Sequence, residues 1–288
     1  MQKAALLSLC AIALFVSCEE EPPYIKFTEK PLLDTVYMSA APSPQAKTAL
    51  VIDVTGVRCN NCPRAAKVAK DLVNQYAGQV EAVALYASSP ASLTRPWPGF
   101  DTLSNNDATQ IINSLGSVIS LPIGSVNYAT DGSGNRLVSS TSWPLMVQDE
   151  LAKPSIWNLE LRTEWQADED RGRLEIKATA NTDLNSNYSW VVGILESHII
   201  GKQSDVDAPG GYTDEYEHDH VLRAVQGSAL GDAMTIPAGL NPVAGITVEK
   251  HMYVPRRYNW KAENLSALVW IIDNSSGNIV QVAHADFQ

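Results

Sequence analysis

The residues of this sequence best suited to chemistry are two cysteines, Cys59 and Cys62, separated by two asparagines. This spacing lets the two sulfurs bridge within a single turn. Pro63 and a run of apolar residues at helical spacing follow, so both cysteines lie at the predicted N-terminus of a helix. Free backbone N–H groups and the helix dipole stabilise a thiolate at that position. The pattern favours a redox pair, with a metal site and a structural disulfide as alternatives.

The rest of the sequence argues against both alternatives. A structural zinc site needs four ligands, but the chain has no second Cys-x-x-Cys pair, and all five histidines lie in its C-terminal half. A stabilising disulfide framework needs distant pairs, whereas this pair closes a very short loop and the other cysteines, Cys10 and Cys18, lie near the N-terminus. We therefore expect neither a metal nor another cofactor at this site.

The N-terminus has the features of a secreted lipoprotein. Residues 1–17 form a predicted signal peptide, whose apolar run (4–16) is too short to span a bilayer. The ending FVSC resembles a bacterial lipobox, which implies that Cys18 is acylated, and the three glutamates after it resemble a surface-export signal of lipoproteins. We expect a protein anchored in the outer membrane and facing the cell exterior. An ordinary signal peptide, cut nearby, is the alternative.

Two different periodicities divide the remaining chain. Residues 18–45, rich in proline and glutamate, predict a lipidated N-terminus and tether with a first edge strand. Residues 46–153 contain buried-strand runs at 49–56 and 79–87 on either side of the cysteine helix, which predict a parallel strand pair. Residues 154–288 contain seven short runs of period two, which predict a β-sandwich. We expect two separately folding domains, an α/β domain followed by an all-β domain.

The strand, the cysteine pair and the helix resemble the active-site segment of thioredoxins. That resemblance implies that Asp53, six residues before Cys59, accepts a proton from the buried resolving thiol of Cys62. It also implies that Cys59 is the exposed attacking sulfur and that Pro122, in SLPIG, is the family's cis-proline. Arg58 stands where the family has a tryptophan, which weakens an enzymatic interpretation. An ordinary buried carboxylate and an ordinary loop proline are the alternatives for Asp53 and Pro122.

A second polar motif contains His218 and His220, which flank Asp219. On one strand the two imidazoles would share a face, a spacing compatible with a metal site or a protonation switch. Because the sequence indicates no third ligand, we favour a polar entrance to a strand.

Several motifs together resemble the outer-membrane-protein-28-related lipoproteins of gut and oral bacteria. They are the lipobox, TGxxCxNCP after a buried strand, HxHVLRA, and the final WKxENLSALVWIID segment. The resemblance implies a thioredoxin-like domain joined to an immunoglobulin-like sandwich, with a protein or surface ligand as partner. The net charge of −11 argues against a nucleic-acid partner. The leading hypothesis is a binding or adhesion module, and the alternative is an envelope thiol-disulfide oxidoreductase or isomerase.

Overall fold

The computed structural model describes residues 32–257 and 259–288. The predicted signal peptide, Cys18 and the first part of the tether lie outside the described residues. The strands, in chain order, are β1 (Thr35–Met38), β2 (Ala49–Thr55), β3 (Val80–Tyr86), β4 (Ile123–Val126), β5 (Trp157–Gln166), β6 (Arg171–Ala180), β7 (Tyr188–Glu196), β8 (Ile199–Ser204), β9 (Tyr212–His218), β10 (Val221–Gln226), β11 (Asp232–Ala233), β12 (Ile246–Pro255), β13 (Leu265–Asp273) and β14 (Asn278–Asp286). The helices are α1 (Cys62–Gln75), α2 (Ala91–Thr94), α3 (Asn106–Leu115) and α4 (Trp143–Leu151).

The strand–helix–strand unit consists of β2, α1 and β3. β2 and β3 pair in parallel, from Ala49 opposite Val80 to Thr55 opposite Tyr86. Every residue of β2 is buried, because helices cover both of its faces. One face packs against α1 and α4 and the other against α3. β4 pairs antiparallel with the outer side of β2.

One eight-stranded sheet runs through both predicted domains. Its order is β14-β13-β7-β10-β3-β2-β4, with β11 paired to β7. β10 joins β3 in parallel, with Val221 opposite Ala84 and a hydrogen bond from Ala84 N–H to His220 O at 2.9 Å. A single core cluster contains Ile52 of β2 together with Trp270 of β13. The halves before and after residue 153 therefore share this cluster, and the compact unit extends from Leu32 to Gln288.

A second, four-stranded antiparallel sheet has the order β1-β12-β6-β5. The predicted edge strand before the core is β1, which pairs with β12. Side chains of β5 and β6 pack into one cluster with side chains of β7 and β13, including Trp157, Ile176, Ile194 and Val269. The C-terminal half is thus built from two layers of antiparallel strands that share an apolar core.

Residues 199–218, named the covering hairpin below, form a two-stranded sheet of β8 and β9. The hairpin leaves the large sheet after β7 and returns to it at β10. Its position matters for the cysteine pair, because it folds onto the loop that carries Cys59.

Candidate functional site

The cysteine pair lies where its spacing predicted, at the N-terminus of α1. Cys59 and Cys62 form a disulfide with their Cα atoms 5.4 Å apart, and Cys62 is the first residue of the helix. The loop before the pair packs tightly on neighbouring backbone. A Cβ atom at Gly56 would lie 2.5 Å from the carbonyl oxygen of Leu93, so only glycine fits there.

Both cysteines are buried. Cys59 exposes 2% of its surface and Cys62 exposes 1%. The expectation that Cys59 presents an exposed sulfur is therefore wrong. The reason is tertiary: residues 203–206 of the covering hairpin lie against the cysteine loop, and no periodicity near Cys59 indicates this contact.

The covering hairpin is held to the cysteine loop by its backbone and by one buried amide. Two hairpin N–H groups donate to loop carbonyls, Ser204 to Val57 at 2.9 Å and Val206 to Asn60 at 3.0 Å. The side-chain Nε2 of Gln203 donates to Gly56 O at 3.2 Å and to Cys59 O at 3.1 Å. Sequence reasoning missed Gln203, because a lone glutamine in a polar run carries no signal of burial.

Arg58, which stands where thioredoxins have a tryptophan, contacts a neighbouring loop. Its guanidinium stacks 3.9 Å from the ring centroid of Trp97 and donates to the carbonyl oxygens of Arg95 and Pro96. The residue thus fixes the loop of residues 95–97 beside the cysteine loop.

A cavity of about 330 Å³ borders α1, β2, β3 and the covering hairpin. Asp53 and Cys62 both line it and Cys59 is bonded to Cys62, so the structure brings together three of the four residues that the thioredoxin resemblance singles out. Asp53 exposes 4% of its surface, and its Oδ1 has no hydrogen-bond partner among the described residues. Burial raises the pKa of this carboxyl to about 7.

Pro122 immediately precedes β4, and the Leu121–Pro122 peptide bond is cis. Ile123, the next residue, pairs with Val54 of β2. This register places Pro122 beside the end of β2 from which the cysteine loop departs. Pro122 is not among the described residues that line the cavity of Asp53.

His218 and His220 do not share a strand face. His218 ends β9, whereas His220 lies in the turn before β10 with a φ of 52°. The hydroxyl of Tyr86 and Nδ1 of His218 share a hydrogen bond of 2.6 Å, and burial lowers the pKa of His218 to about 4. The His220 ring instead packs edge-on against His284. The two histidines therefore have different partners, and His218 is neutral at physiological pH.

A cluster of metal-ligand type is formed by His198, Glu217 and Asp219. His198 Nδ1 lies 2.5 Å from Glu217 Oε1 and 3.8 Å from Asp219 Oδ1. The hydrogen bond with Glu217 raises the pKa of His198 and favours the charged imidazolium. The cluster is thus an exposed ion-pair network. Sequence reasoning missed His198, which is distant in sequence from the other two.

The covering hairpin and the loop facing it have four exposed large apolar side chains. Ile200, Val206 and Tyr212 of the hairpin are exposed, as is Phe100 of the facing loop, and we name these four residues the hairpin face. Ile200 and Phe100 line a second cavity of about 340 Å³. The ammonium group of Lys202 lies 3.4 Å from the ring centroid of Tyr212.

Comparison with known proteins agrees with the resemblance in the sequence. The family model described as Outer membrane protein Omp28 matches residues 111–288, which is more than half of the chain. The chain belongs to the Omp28 family. This membership supports a location at the outer membrane. The match begins after the cysteine loop, so Asp53, Cys59 and Cys62 lie outside it. No curated protein matches this Omp28-family chain.

Two solved structures resemble the Omp28-family chain at low identity. A protein from Agrobacterium tumefaciens is 14% identical and has a TM-score of 0.49, with 84% of this chain and 95% of that chain covered. A domain of the outer membrane lipoprotein Omp28 from Porphyromonas gingivalis is 13% identical and has a TM-score of 0.29, with 46% and 89% covered. Among the described residues, no helix is long and apolar enough to cross a membrane.

Proposed function

We propose that this Omp28-family protein is an outer-membrane lipoprotein that acts as a binding or adhesion module. In this proposal acyl chains on Cys18 hold it in the membrane and the folded part faces the cell exterior. The lipobox FVSC and the three glutamates after it support the anchor and the orientation. The covering hairpin buries both cysteines and exposes apolar side chains of its own, and this observation favours a binding function over a catalytic one.

The proposal includes a thioredoxin-like region at residues 46–153 and an immunoglobulin-like sandwich at residues 154–288. The parallel β2–β3 pair with α1 between its strands, and the antiparallel β4 beside β2, support the first part. The shared core of the two antiparallel layers supports the second part. Because β10 pairs with β3, the two regions act as one body.

Burial of the disulfide argues against catalysis of thiol-disulfide exchange with partner proteins. Disulfide exchange requires a thiolate to approach one of the two sulfurs. Cys59 and Cys62 expose 2% and 1% of their surfaces, and four hydrogen bonds close the hairpin over the cysteine loop. A partner thiol therefore reaches the sulfurs only after the hairpin moves.

The hairpin face is the proposed contact surface. Exposed clusters of large apolar residues commonly mark interaction sites, and aromatic residues are enriched in the centres of protein interfaces. Phe100, Ile200, Val206 and Tyr212 provide two aromatic and two aliphatic side chains on one hairpin and its facing loop. Their chemistry fits a protein ligand with an exposed apolar patch.

The test compares adhesion of cells that display the wild type or a variant. Ile200→Asp places a charge in the hairpin face, and we expect it to reduce adhesion of the cells to a protein-coated surface at least fivefold. Leu230→Asp is the matched control, because Leu230 has the same exposed fraction, 54%, and lies outside the hairpin. The double variant Cys59→Ser, Cys62→Ser should bind like the wild type. Equal binding by the two aspartate variants would remove the hairpin face from the proposal.

The second candidate function is an envelope thiol-disulfide oxidoreductase or isomerase. The observation in its favour is that Asp53 and Cys62 line one cavity, where the carboxyl can accept a proton from a reduced Cys62. This candidate predicts that Cys62→Ser traps mixed disulfides with envelope proteins and that Cys59→Ser traps none. The binding module predicts no trapped species from either variant.

A further inference from the structure

The Asp53 cavity contains a buried acid that the fold does not pair. Asp53 Oδ1 has no hydrogen-bond partner among the described residues, although the residue exposes only 4% of its surface. Burial of an unpaired carboxyl is unfavourable, and native structures pair most such groups. The unpaired carboxyl of Asp53 borders a cavity of about 330 Å³.

Three other buried polar side chains of the cavity already have hydrogen-bond partners. Tyr86 and His218 share a hydrogen bond of 2.6 Å. The two N–H groups of Gln203 Nε2 are shared among three backbone carbonyl oxygens of the hairpin and the cysteine loop. Asp53 is therefore the buried ionisable side chain of the cavity that has no partner among the described residues.

The charge of Asp53 selects what that group can be. In its ionised form the buried carboxyl of Asp53 repels anions and favours a cation that also donates hydrogen bonds. The cations at the cavity surface do not reverse this preference, because each has its own acid. Lys67 pairs with Asp71 at 2.7 Å, and Lys70 lies 3.7 Å from Asp219.

The remaining walls suit the body of an organic cation. Tyr86 and Tyr216 bring aromatic rings to the cavity, and aromatic rings attract ammonium groups. Ala66 of α1 and Ala82 and Ala84 of β3 contribute only methyl groups, so the space between helix and strand is narrow and apolar. The volume is at the lower end of the range for small-molecule sites, roughly 300–1,000 Å³.

We propose that this cavity binds a small organic ammonium compound, whose ammonium group donates to Asp53 and whose alkyl part lies between α1 and β3. The cavity lining does not include the four residues of the hairpin face, so the two sites can be altered by different substitutions.

The experiment is calorimetric titration of the detergent-solubilised mature lipoprotein, with its disulfide intact, with three probes of equal chain length. They are hexylamine, hexanol and hexanoate. We expect hexylamine to bind at least tenfold more tightly than either of the others. Asp53→Asn should weaken hexylamine at least tenfold, whereas Asp149→Asn, at an exposed aspartate of α4, should leave its affinity unchanged.

Ala66→Leu provides a second test that does not depend on the charge, because the added methyl groups extend into the cavity and should also weaken hexylamine at least tenfold. Equal affinity for hexylamine and hexanol, or full affinity in folded Asp53→Asn, would overturn the proposal. Wild-type adhesion of the Asp53→Asn variant would then show that the binding module itself had not failed. The double variant Cys59→Ser, Cys62→Ser should keep hexylamine binding, which separates this site from a redox function.

Discussion

The access of reductant to the disulfide should depend on Gln203. Its amide donates to Gly56 O and Cys59 O, the two side-chain hydrogen bonds that fasten the covering hairpin to the cysteine loop. Gln203→Ala removes both. Each bond contributes about 0.5–1.5 kcal/mol, so the closed arrangement should lose roughly 1–3 kcal/mol. Since 1.4 kcal/mol corresponds to a factor of ten, the open population should rise about 5- to 150-fold.

The assay measures the rate at which dithiothreitol reduces the Cys59–Cys62 disulfide. Samples are quenched with iodoacetamide, and the mass increase counts the alkylated thiols. If reduction proceeds through the open hairpin, the rate constant of Gln203→Ala should exceed that of the wild type by the same 5- to 150-fold.

Gln281→Ala is the matched control for this rate. Gln281 is also a buried glutamine bonded to backbone, but it lies on β14 and contacts Ala46 and Thr48. Its loss should destabilise the fold without opening the hairpin. Reduction of Gln203→Ala at the wild-type rate, or acceleration of both variants by the same factor, would refute local control of the disulfide by the hairpin.

Three further predictions concern Asp53, the anchor and the sheet. Burial raises the folded-state pKa of Asp53 from 3.8 to about 7, so the folded state binds more protons between these values and loses stability as the pH rises. Asp53→Asn should therefore raise the unfolding free energy at pH 8 by up to about 4 kcal/mol and leave it nearly unchanged at pH 3, as measured by urea titration. Cys18→Ser should move the protein from the membrane pellet to the soluble fraction, and protease added to intact cells should degrade the wild type; a pelleting variant contradicts the lipid anchor. Residues 155–288 expressed alone should aggregate rather than fold, because Leu222 and Trp270 pack in the cluster shared with β2; a soluble β-rich fragment with a cooperative melt would contradict this.

Local patterns in the sequence predict the elements of the fold well. Each of the seven runs of period two in the C-terminal half contains a strand, from β5 to β14, and the parallel β2–β3 pair follows from two apolar runs around a helix. The period reports which face of a strand is buried. It does not report which strand lies beside it, so the pairing of β3 with β10 was not predictable.

The candidate site shows the same division. The cysteine pair, its place at the helix N-terminus and the burial of Asp53 were predictable from neighbouring residues. The covering hairpin was not, because TDEYEH of β9 lacks an apolar alternation and β8 contains a glycine. The burial of Cys59 therefore depends on contacts with residues about 145 positions away, which local sequence does not encode.

The short edge strand β1 sets how far the folded part can stand from the lipid. With acyl chains on Cys18, the chain before β1 can extend by at most roughly 60 Å, at about 3.5 Å per residue. β1 has only four residues, mostly exposed, and pairs with β12 alone, so a pulling force along the chain would detach it before any buried strand. Its release would free the chain as far as Ser43, whose carbonyl oxygen accepts a hydrogen bond from Asn158, and add roughly 28 Å of reach. An adhesive contact under shear flow would then lengthen its tether first and keep the binding surface intact.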